Sequence, residues 1–461
     1  MYQQFINRKE EIGFLDKEYR GRRSSLIVIY GRRRVGKTAL VKRFASDKPH
    51  IYFLADTRGD YQNLKEIQTF MGEYLKDEVF KKADIRDWVE LFEEFSERAK
   101  EKPIIVIDEF PVLIELNSAI PSIFQKIWDN ILSERKVQLI LLGSSVGMME
   151  TEVLGYKSPL YGRRTGQWKV LPLRFQHLRD FLPGYSIEDV IKTYSVTDGI
   201  PAYLRTMKPG LTFSENIRDT VFTPGGFLYQ EAEILLRQEL REPSNYFNIM
   251  KSIAMGRTKF GEIVNSTGLE KTLVSKYLNT LMLLHVVRKD FPVTQEKETR
   301  TARYVFEDNY FTFWFRFVYP NKTMLEGGNV DDVVGSIGEE LSLHFSKAFE
   351  QLCRQLLFAK SPIRFNKLGR WWYKDKEIDA VALGEKANEI LFCECKWQEK
   401  VNPGKILDDL KEKAGFVDWN RGKRKEHYAI FAKSFRERIE EPGVSLIDLK
   451  DMERQFRQAA L

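Results

Sequence analysis

The sequence predicts a multidomain α/β protein, and three observations predict it. An apolar run at 26–30 passes through a loop bounded by glycines, Gly31-Arg32-Arg33-Arg34-Val35-Gly36-Lys37-Thr38, into a helical pattern at 39–44. A second unbroken apolar run, 104–107, stops at two adjacent carboxylates, Asp108 and Glu109. Far downstream, strand-like runs at 377–383 and 390–396 carry Asp379, Glu394 and Lys396. With 461 residues the chain is too long for one core, so two to four domains are expected.

Composition narrows the class. Hydrophobic residues are 43% and charged residues 30%, the balance of a water-soluble globular chain. No apolar run is long enough to cross a bilayer, and the first four residues lack an export signal, so no membrane partner is expected. Three cysteines, Cys353, Cys393 and Cys395, make neither a disulfide framework nor a zinc site, which fits a reducing cytoplasm. The net charge of +7 tolerates an anionic partner without demanding one, because 66 acidic residues offset most of the 73 basic ones. The five histidines are scattered, and neither a metal-binding HExxH nor a GxSxG nucleophile elbow occurs.

The first elements place a nucleotide. Residues 5–12 read as the start of an amphipathic helix capped by Asn7, with Ile12 and Leu15 inward, able to flank a base. Strand, glycine-rich loop and helix then follow in the order of GxxxxGK[ST]. The cradle is Gly31, Arg32, Arg33, Arg34, Val35, Gly36, Lys37, Thr38 and Ala39, whose N–H groups would point at phosphate oxygens of ATP. Lys37 would reach the β- and γ-phosphates, and the Thr38 hydroxyl would hold Mg²⁺. The three arginines occupy variable positions, so their side chains would face solvent or another subunit of a homo-oligomer.

A short strand at 51–54 and helices near 61–75 and 86–100 lead to the β-branched run before Asp108, the pattern of a parallel strand buried on both faces. Ligands gather at the carboxyl ends of such strands. There Asp108 would bind Mg²⁺ and Glu109 would polarise the attacking water. The next strand, 137–142, ends at Ser144 and Ser145, either of which would touch the γ-phosphate or cap a helix. Arg163 or Arg164, before a strand at 168–171, would neutralise transition-state charge as an arginine finger, in cis or from a neighbour.

These motifs, from Phe5-x-Asn7-Arg8-x-x-Glu11 through Gly31–Thr38, Ile107-Asp108-Glu109-Phe110 and Gly143-Ser144-Ser145 to Tyr161-Gly162-Arg163, resemble the archaeal-type ATPase family of AAA+/STAND-like P-loop NTPases. The resemblance covers about the first 205 residues. It implies a strand inserted between the P-loop and Asp108 strands and a helical lid, in which Gly199-Ile200-Pro201 would sense nucleotide.

Residues 242–325 read as a winged helix-turn-helix: three short helices, then a ribbon with a charged hairpin at 295–300. Lys271, Thr272, Ser275, Lys276 and Asn279 share the polar face of the third helix, with Arg288, Lys289, Arg300 and Arg303 on the ribbon. The unit would bind DNA, or a protein partner. The aromatic segment 308–317 is too densely apolar for base stacking and is expected to pack between domains.

In the last segment, strand alternation puts Glu394 and Lys396 on one face and Cys393 and Cys395 on the other. Asp379 and Glu394 would hold Mg²⁺ or Mn²⁺, Glu350 would complete the shell, and Lys396 would orient water, as a metal-dependent phosphodiesterase requires. Lys411 or Lys413 would contact phosphate, and the basic loop Arg421, Lys423, Arg424, Lys425 would steer a phosphate backbone. The element order resembles the PD-(D/E)xK restriction-endonuclease-like fold, with Ile378 where that motif's name has proline. The resemblance implies either a DNA endonuclease module or a domain that binds without cleaving.

The expected division is therefore a P-loop ATPase domain at 1–175, a helical lid at 176–241, the winged helix at 242–325, a polar linker at 326–338 and the nuclease-like domain at 339–461. The expected activity is ATP hydrolysis acting on or near DNA, or an ATP-driven regulatory switch.

Overall fold

In the computed structural model, which describes residues 5–240, 242–295 and 301–459, the first apolar run becomes a fully buried inner strand of a sheet. The chain forms two units, Met1–Pro172 and Leu173–Leu461.

The first unit begins with α1 (Lys9–Arg20), followed by β1 (Ser25–Tyr30), α2 (Lys37–Ala45), β2 (His50–Leu54), α3 (Asp60–Leu75) and α4 (Trp88–Arg98). Then come β3 (Ile104–Asp108), α5 (Phe110–Leu116), α6 (Ile120–Ile127), β4 (Gln138–Gly143) and β5 (Gly166–Lys169). The five strands pair in the order β2-β3-β4-β1-β5, all parallel. Every residue of β1, β3 and β4 is buried. Alternation divides them between two cores: Leu26, Val28, Ile105, Ile107, Leu139 and Leu141 on one face, Ile27, Ile29, Ile104, Val106, Ile140 and Leu142 on the other. β4 stands between β1 and β3, the insertion that the family resemblance implies. Registry of Tyr30 with Gly143, Ile107 with Leu141 and Leu54 with Asp108 brings the loops after β1, β3 and β4 to one edge.

Asn7 is not the cap of α1. The helix starts after Arg8, and Asn7 and Arg8 both lie in the left-handed region, at φ 58° and 71°. A cap residue ordinarily has extended backbone so that its side chain can reach the first free N–H groups, and this turn precludes it. Leu15 is buried as expected, while Ile12 is half-buried.

The second unit contains α7 (Ile187–Thr197), α8 (Glu231–Glu239), α9 (Pro243–Ala254), α10 (Phe260–Thr267), α11 (Lys271–Leu283) and an antiparallel ribbon, β6 (Val287–Asp290) with β7 (Arg303–Phe306). It continues with α12 (Val330–Ser336), α13 (Gly338–Ala359), β8 (Lys367–Tyr373), β9 (Lys376–Gly384), β10 (Glu389–Lys396), α14 (Pro403–Ala414), β11 (Lys425–Ala432), β12 (Val444–Ile447) and α15 (Leu449–Ala459). The sheet order is β12-β11-β10-β9-β8. β8, β9 and β10 pair antiparallel, and β10, β11 and β12 parallel, giving a mixed sheet.

Segment 326–338 is not a polar linker. Val330, Val333 and Ile337 are buried on one face of α12 and its end, at the three- and four-residue spacing of an amphipathic helix. One apolar cluster runs from Phe175 through Tyr310, Trp314, Val333 and Leu352 to Phe456. The aromatics of 308–317 lie within it: Tyr310 donates to the Leu228 carbonyl at 2.7 Å and the Trp314 indole to the Tyr229 carbonyl at 2.6 Å.

Candidate functional site

The loop between β1 and α2 is shaped by two glycines. Gly36 has φ 96°, where a side chain would be strained. A Cβ on Gly31 would stand 2.3 Å from the Val170 carbonyl oxygen, so only glycine lets β1 leave the sheet beside that strand end. Lys37 is buried and donates to the carbonyls of Gly31 (2.8 Å) and Arg32 (3.1 Å), which places its ammonium in the loop. Of the three arginines expected to face outward, Arg34 is exposed at φ 72°, whereas Arg32 and Arg33 are half-buried. Ala39 lies in the first turn of α2 and is half-buried.

At the end of β3, Asp108 is 2% exposed. Its Oδ2 accepts from the Thr38 hydroxyl at 2.7 Å and from the Tyr52 hydroxyl at 2.5 Å, and its Oδ1 accepts from the Glu109 N–H at 2.9 Å. Burial first, then Asp108 itself, pushes the Tyr52 phenol well above its ordinary pKa, so it acts as a donor. Glu109 follows at φ 55°, left-handed and unusual for a side chain. The Ser144 hydroxyl lies 2.8 and 2.7 Å from the two Glu109 carboxylate oxygens. Ser145 holds the N-cap position of the next helix without a side-chain cap bond. Thr38 and Asp108 thus form a pair of hard oxygen donors beside a phosphate-sized loop. Mg²⁺ bound with a nucleotide needs one or two such groups and takes its remaining ligands from phosphate and water, so these residues fit it.

In the second unit, Glu394 and Asp379 fall opposite each other when the β9–β10 register, with Cys393 against Ala380, is extended by one pair. Burial, then Glu350, then Glu394 push Asp379 up to about 7, and burial also raises Glu350. The predicted three-carboxylate metal shell does not form. Among the described residues no group of three or more acidic, histidine or cysteine side chains is arranged to hold a metal. The reason is which way each group faces. Glu350 and Cys353 belong to α13, which packs on the face of Cys393 and Cys395. Glu394 instead meets α14, where Lys413 stands 3.1 and 3.2 Å from its two oxygens and Lys396 is 2.7 Å from Oε1. Asp379 Oδ2 accepts the Cys395 N–H at 2.8 Å. In this arrangement Glu394 is paired with two lysines and Asp379 with a backbone N–H, and Glu350 does not join them as a third ligand.

Residues 5–207 match a family described as an ATPase domain predominantly from Archaea, and residues 314–407 one described as archaeal and bacterial proteins of unknown function. An uncharacterized protein of Methanocaldococcus jannaschii, MJECL04, is 35% identical over 460 residues, 97% of this chain and 99% of its own. The chain belongs to the archaeal-type ATPase family. Among solved structures, the Walker-type ATPase PABY2304 of Pyrococcus abyssi is similar, with TM-score 0.53 and 21% identity over 68% of this chain and 97% of its own, a likeness of fold. A further relative, the uncharacterized ATP-binding protein MJ0423 of M. jannaschii, is 52% identical over 44 residues, 10% of this chain and 75% of its own.

Several charged groups of this archaeal-type ATPase lie elsewhere than the sequence suggests. Arg163 pairs with Asp129, at 3.1 Å from Oδ2, and donates to the Tyr161 carbonyl at 3.2 Å. Asp129 sits in the π-helical segment Trp128–Leu132 that continues α6, a counter-charge distant in sequence, and it pairs with the guanidinium there. The Arg164 guanidinium stacks 5.6 Å from the Tyr161 ring centroid. Its charge also opposes the rise that burial and Glu150 impose on Tyr30, the residue before Gly31. Arg303 pairs with Glu377 at 3.1 Å and lies over Trp372, and Arg288 pairs with Asp290 at 3.2 Å. Arg300 falls outside the described residues. In the basic loop, Arg424 donates to the carbonyls of Ala414, Val417 and Trp419, which makes it a helix-end anchor rather than a phosphate contact. The face expected on α11 is present: Lys271, Thr272, Ser275, Lys276 and Asn279 are exposed, and Val274, Leu278 and Leu281 are buried. Among the described residues no helix is long and apolar enough to cross a membrane.

Two residues of this cluster were not visible as such in the sequence. Tyr52 sits between Ile51 and Phe53 on β2, and only the β2–β3 pairing carries it to Asp108. Arg8 falls within the matched N-terminal motif, yet its partners, Val35 and Leu171, are 27 and 163 residues away.

Proposed function

We propose that the loop after β1 hydrolyses ATP, and that nucleotide state controls the association of the second unit with DNA. The observation that carries the first part is the convergence of Lys37, Thr38, Asp108, Glu109 and Ser144 from three strand ends. Backbone N–H groups of 31–39 bind the phosphates, and Lys37 moves from the loop carbonyls to the β- and γ-oxygens. Mg²⁺, when bound, would neutralise charge on those oxygens. Thr38 and Asp108 would hold it. Glu109 takes a proton from the attacking water, and Ser144 keeps its carboxylate aimed. Arg163 is engaged with Asp129, so the charge-neutralising arginine of this reading is Arg164 or one supplied by another copy. Gly199-Ile200-Pro201, with Pro201 in the first turn of a short helix, serves as the nucleotide-sensing turn of the lid.

Lys37→Ala should abolish ATP binding measured by calorimetry, and Glu109→Gln should retain binding but stop phosphate release. Undiminished hydrolysis in both would end the assignment.

For the second unit the reading is a winged helix-turn-helix, with α11 entering a DNA groove, beside a restriction-endonuclease-like sheet that binds without cutting. The exposed polar face of α11 supports the former. The pairing of Glu394 with two lysines supports the latter. Mobility shifts on duplex DNA should weaken steeply with salt and be reduced by Lys271→Ala with Lys276→Ala. Plasmid nicking that requires Mn²⁺ and is lost in both Asp379→Ala and Glu394→Ala would replace the binding reading with cleavage.

A further inference from the structure

Arg8 joins three segments that the sequence keeps apart. Its Nη2 donates to the Val35 carbonyl at 2.9 Å and to the Leu171 carbonyl at 2.8 Å, while Nη1 donates to Glu11 at 2.8 Å. The residue is 6% exposed. Asn7 and Arg8 adopt left-handed backbone in succession, which is unfavourable for side-chain-bearing residues and persists only where the surroundings fix it.

The contact with Val35 has a geometric consequence. A trans peptide unit sets its C=O and N–H antiparallel, and among the described residues no peptide is cis. Once the Val35 carbonyl is held by Arg8, the N–H of Gly36 in the same plane points the opposite way. Gly36, at φ 96°, carries no side chain to restrict that peptide, so a contact from outside the loop adds to what selects between its two orientations. Only one of them offers the N–H to phosphate. Lys37 holds the carbonyls of Gly31 and Arg32, at the other end of the loop.

We propose that Arg8 is a positioning residue of the phosphate site, fixing the Val35–Gly36 peptide so that the Gly36 N–H faces the phosphate chain. This rests on the reading of the loop as the ATP site. Arg8 then serves the phosphates and not the base, although it precedes the first strand, where a base-flanking segment is expected. Glu11 takes the other guanidinium nitrogen and so holds the group beside the two carbonyls. A lysine at position 8 has a single ammonium and no fork with which to hold both carbonyls and Glu11 at once.

The test is binding of Mg²⁺-ATP and of Mg²⁺-pyrophosphate, which has no base, to the full chain and to its Arg8→Lys and Arg8→Ala variants by calorimetry. Both ligands should lose affinity by about tenfold or more in Arg8→Ala, the effect of one hydrogen bond to a charged group. Arg8→Lys should lose less, and added methylguanidinium should restore part of the Arg8→Ala loss. Loss of ATP binding with unchanged pyrophosphate binding would overturn the proposal in favour of a base contact. Unchanged binding of both would overturn it outright. If Arg8→Ala does not fold, the Arg8→Lys comparison of the two ligands decides alone. Lys37→Ala is the separate control: if it still binds both ligands, the ATP-site reading fails, whereas a silent Arg8 beside a sensitive Lys37 sinks only this inference.

Discussion

Replacing Tyr52 with phenylalanine removes one hydroxyl and leaves the ring in place. In the folded chain that hydroxyl is one of three donors to Asp108, a carboxylate only 2% exposed, and it donates to the same oxygen as Thr38. A hydrogen bond to a charged acceptor contributes about 1.5–3 kcal/mol, and the half-buried position of Tyr52 places the loss near the lower end, about 1.5 kcal/mol. For a unit of this size each kcal/mol lowers the melting temperature by about 3 °C, so a fall of about 4 °C is expected. A change of hydration at Tyr52 would give a similar fall, and a double-mutant cycle with Asp108→Asn separates the two. Thermal melting of the four proteins should show Tyr52→Phe costing little once Asp108 is neutral, with a coupling of about 1 kcal/mol or more. Additive losses would refute the bond as a stabilising contact. Because an unanchored carboxylate also loses its aim, hydrolysis at subsaturating Mg²⁺ should fall in Tyr52→Phe.

Other consequences are equally direct. Ser144→Ala removes the hydroxyl that touches both Glu109 oxygens, so turnover should drop about tenfold with ATP affinity nearly unchanged, read from steady-state kinetics and calorimetry. Asp379 titrates near 7 in the folded chain, raised by burial, Glu350 and Glu394, against about 4 when unfolded. The folded state therefore retains a proton that the unfolded state gives up between pH 4 and 7, and stability from this group is lost as pH rises through that window. Asp379→Asn should melt higher than the parent at pH 8 and show a flatter profile below it. His344 behaves in the opposite sense: burial lowers it to about 4, so acid favours the unfolded chain from about pH 6.5 downward. A His344→Gln variant should lose less melting temperature between pH 6.5 and 4.5 than the parent. Val333→Ala, fully buried in the segment expected to be a linker, should cost about 2 kcal/mol in denaturant unfolding, whereas a true linker position would cost nothing measurable.

What the sequence made legible follows from the range of each interaction. The runs that became β1, β3 and β4 are continuous and apolar because both faces are buried, so local composition sufficed to find them and the residues at their ends. The α11 face was equally readable, since helical period and polarity agree there. Segment 326–338 misled because its glycines and acidic residues outnumber the three apolar residues that decide its burial. The ion pairs of Arg163 and Arg303 were not legible because their counter-charges, Asp129 and Glu377, are 34 and 74 residues away. Glu350 was drawn into a metal shell because spacing along a helix does not reveal which face of a sheet that helix covers.

The phosphate loop shows the same division inside a single motif. Its pattern states which backbone groups meet phosphate but not what holds them when phosphate is absent. Here Lys37 holds the Gly31 and Arg32 carbonyls, yet in the proposed function Lys37 is also the side chain that turns to the β- and γ-oxygens. An anchor that leaves whenever ligand arrives cannot fix the loop in both states. Arg8 bonds the Val35 carbonyl from outside the motif and has no phosphate to turn to, so its contact can persist throughout the cycle. Its second carbonyl, on Leu171, follows β5, and Val170 in the same segment is what forbids a side chain at Gly31. Both ends of the loop are thus referred to residues 170–171, just before the first unit ends at Pro172. A displacement of the loop on nucleotide binding would be transmitted to that connection, and Arg8→Lys should weaken the nucleotide dependence of proteolysis at 170–175 even where it leaves ATP affinity measurable.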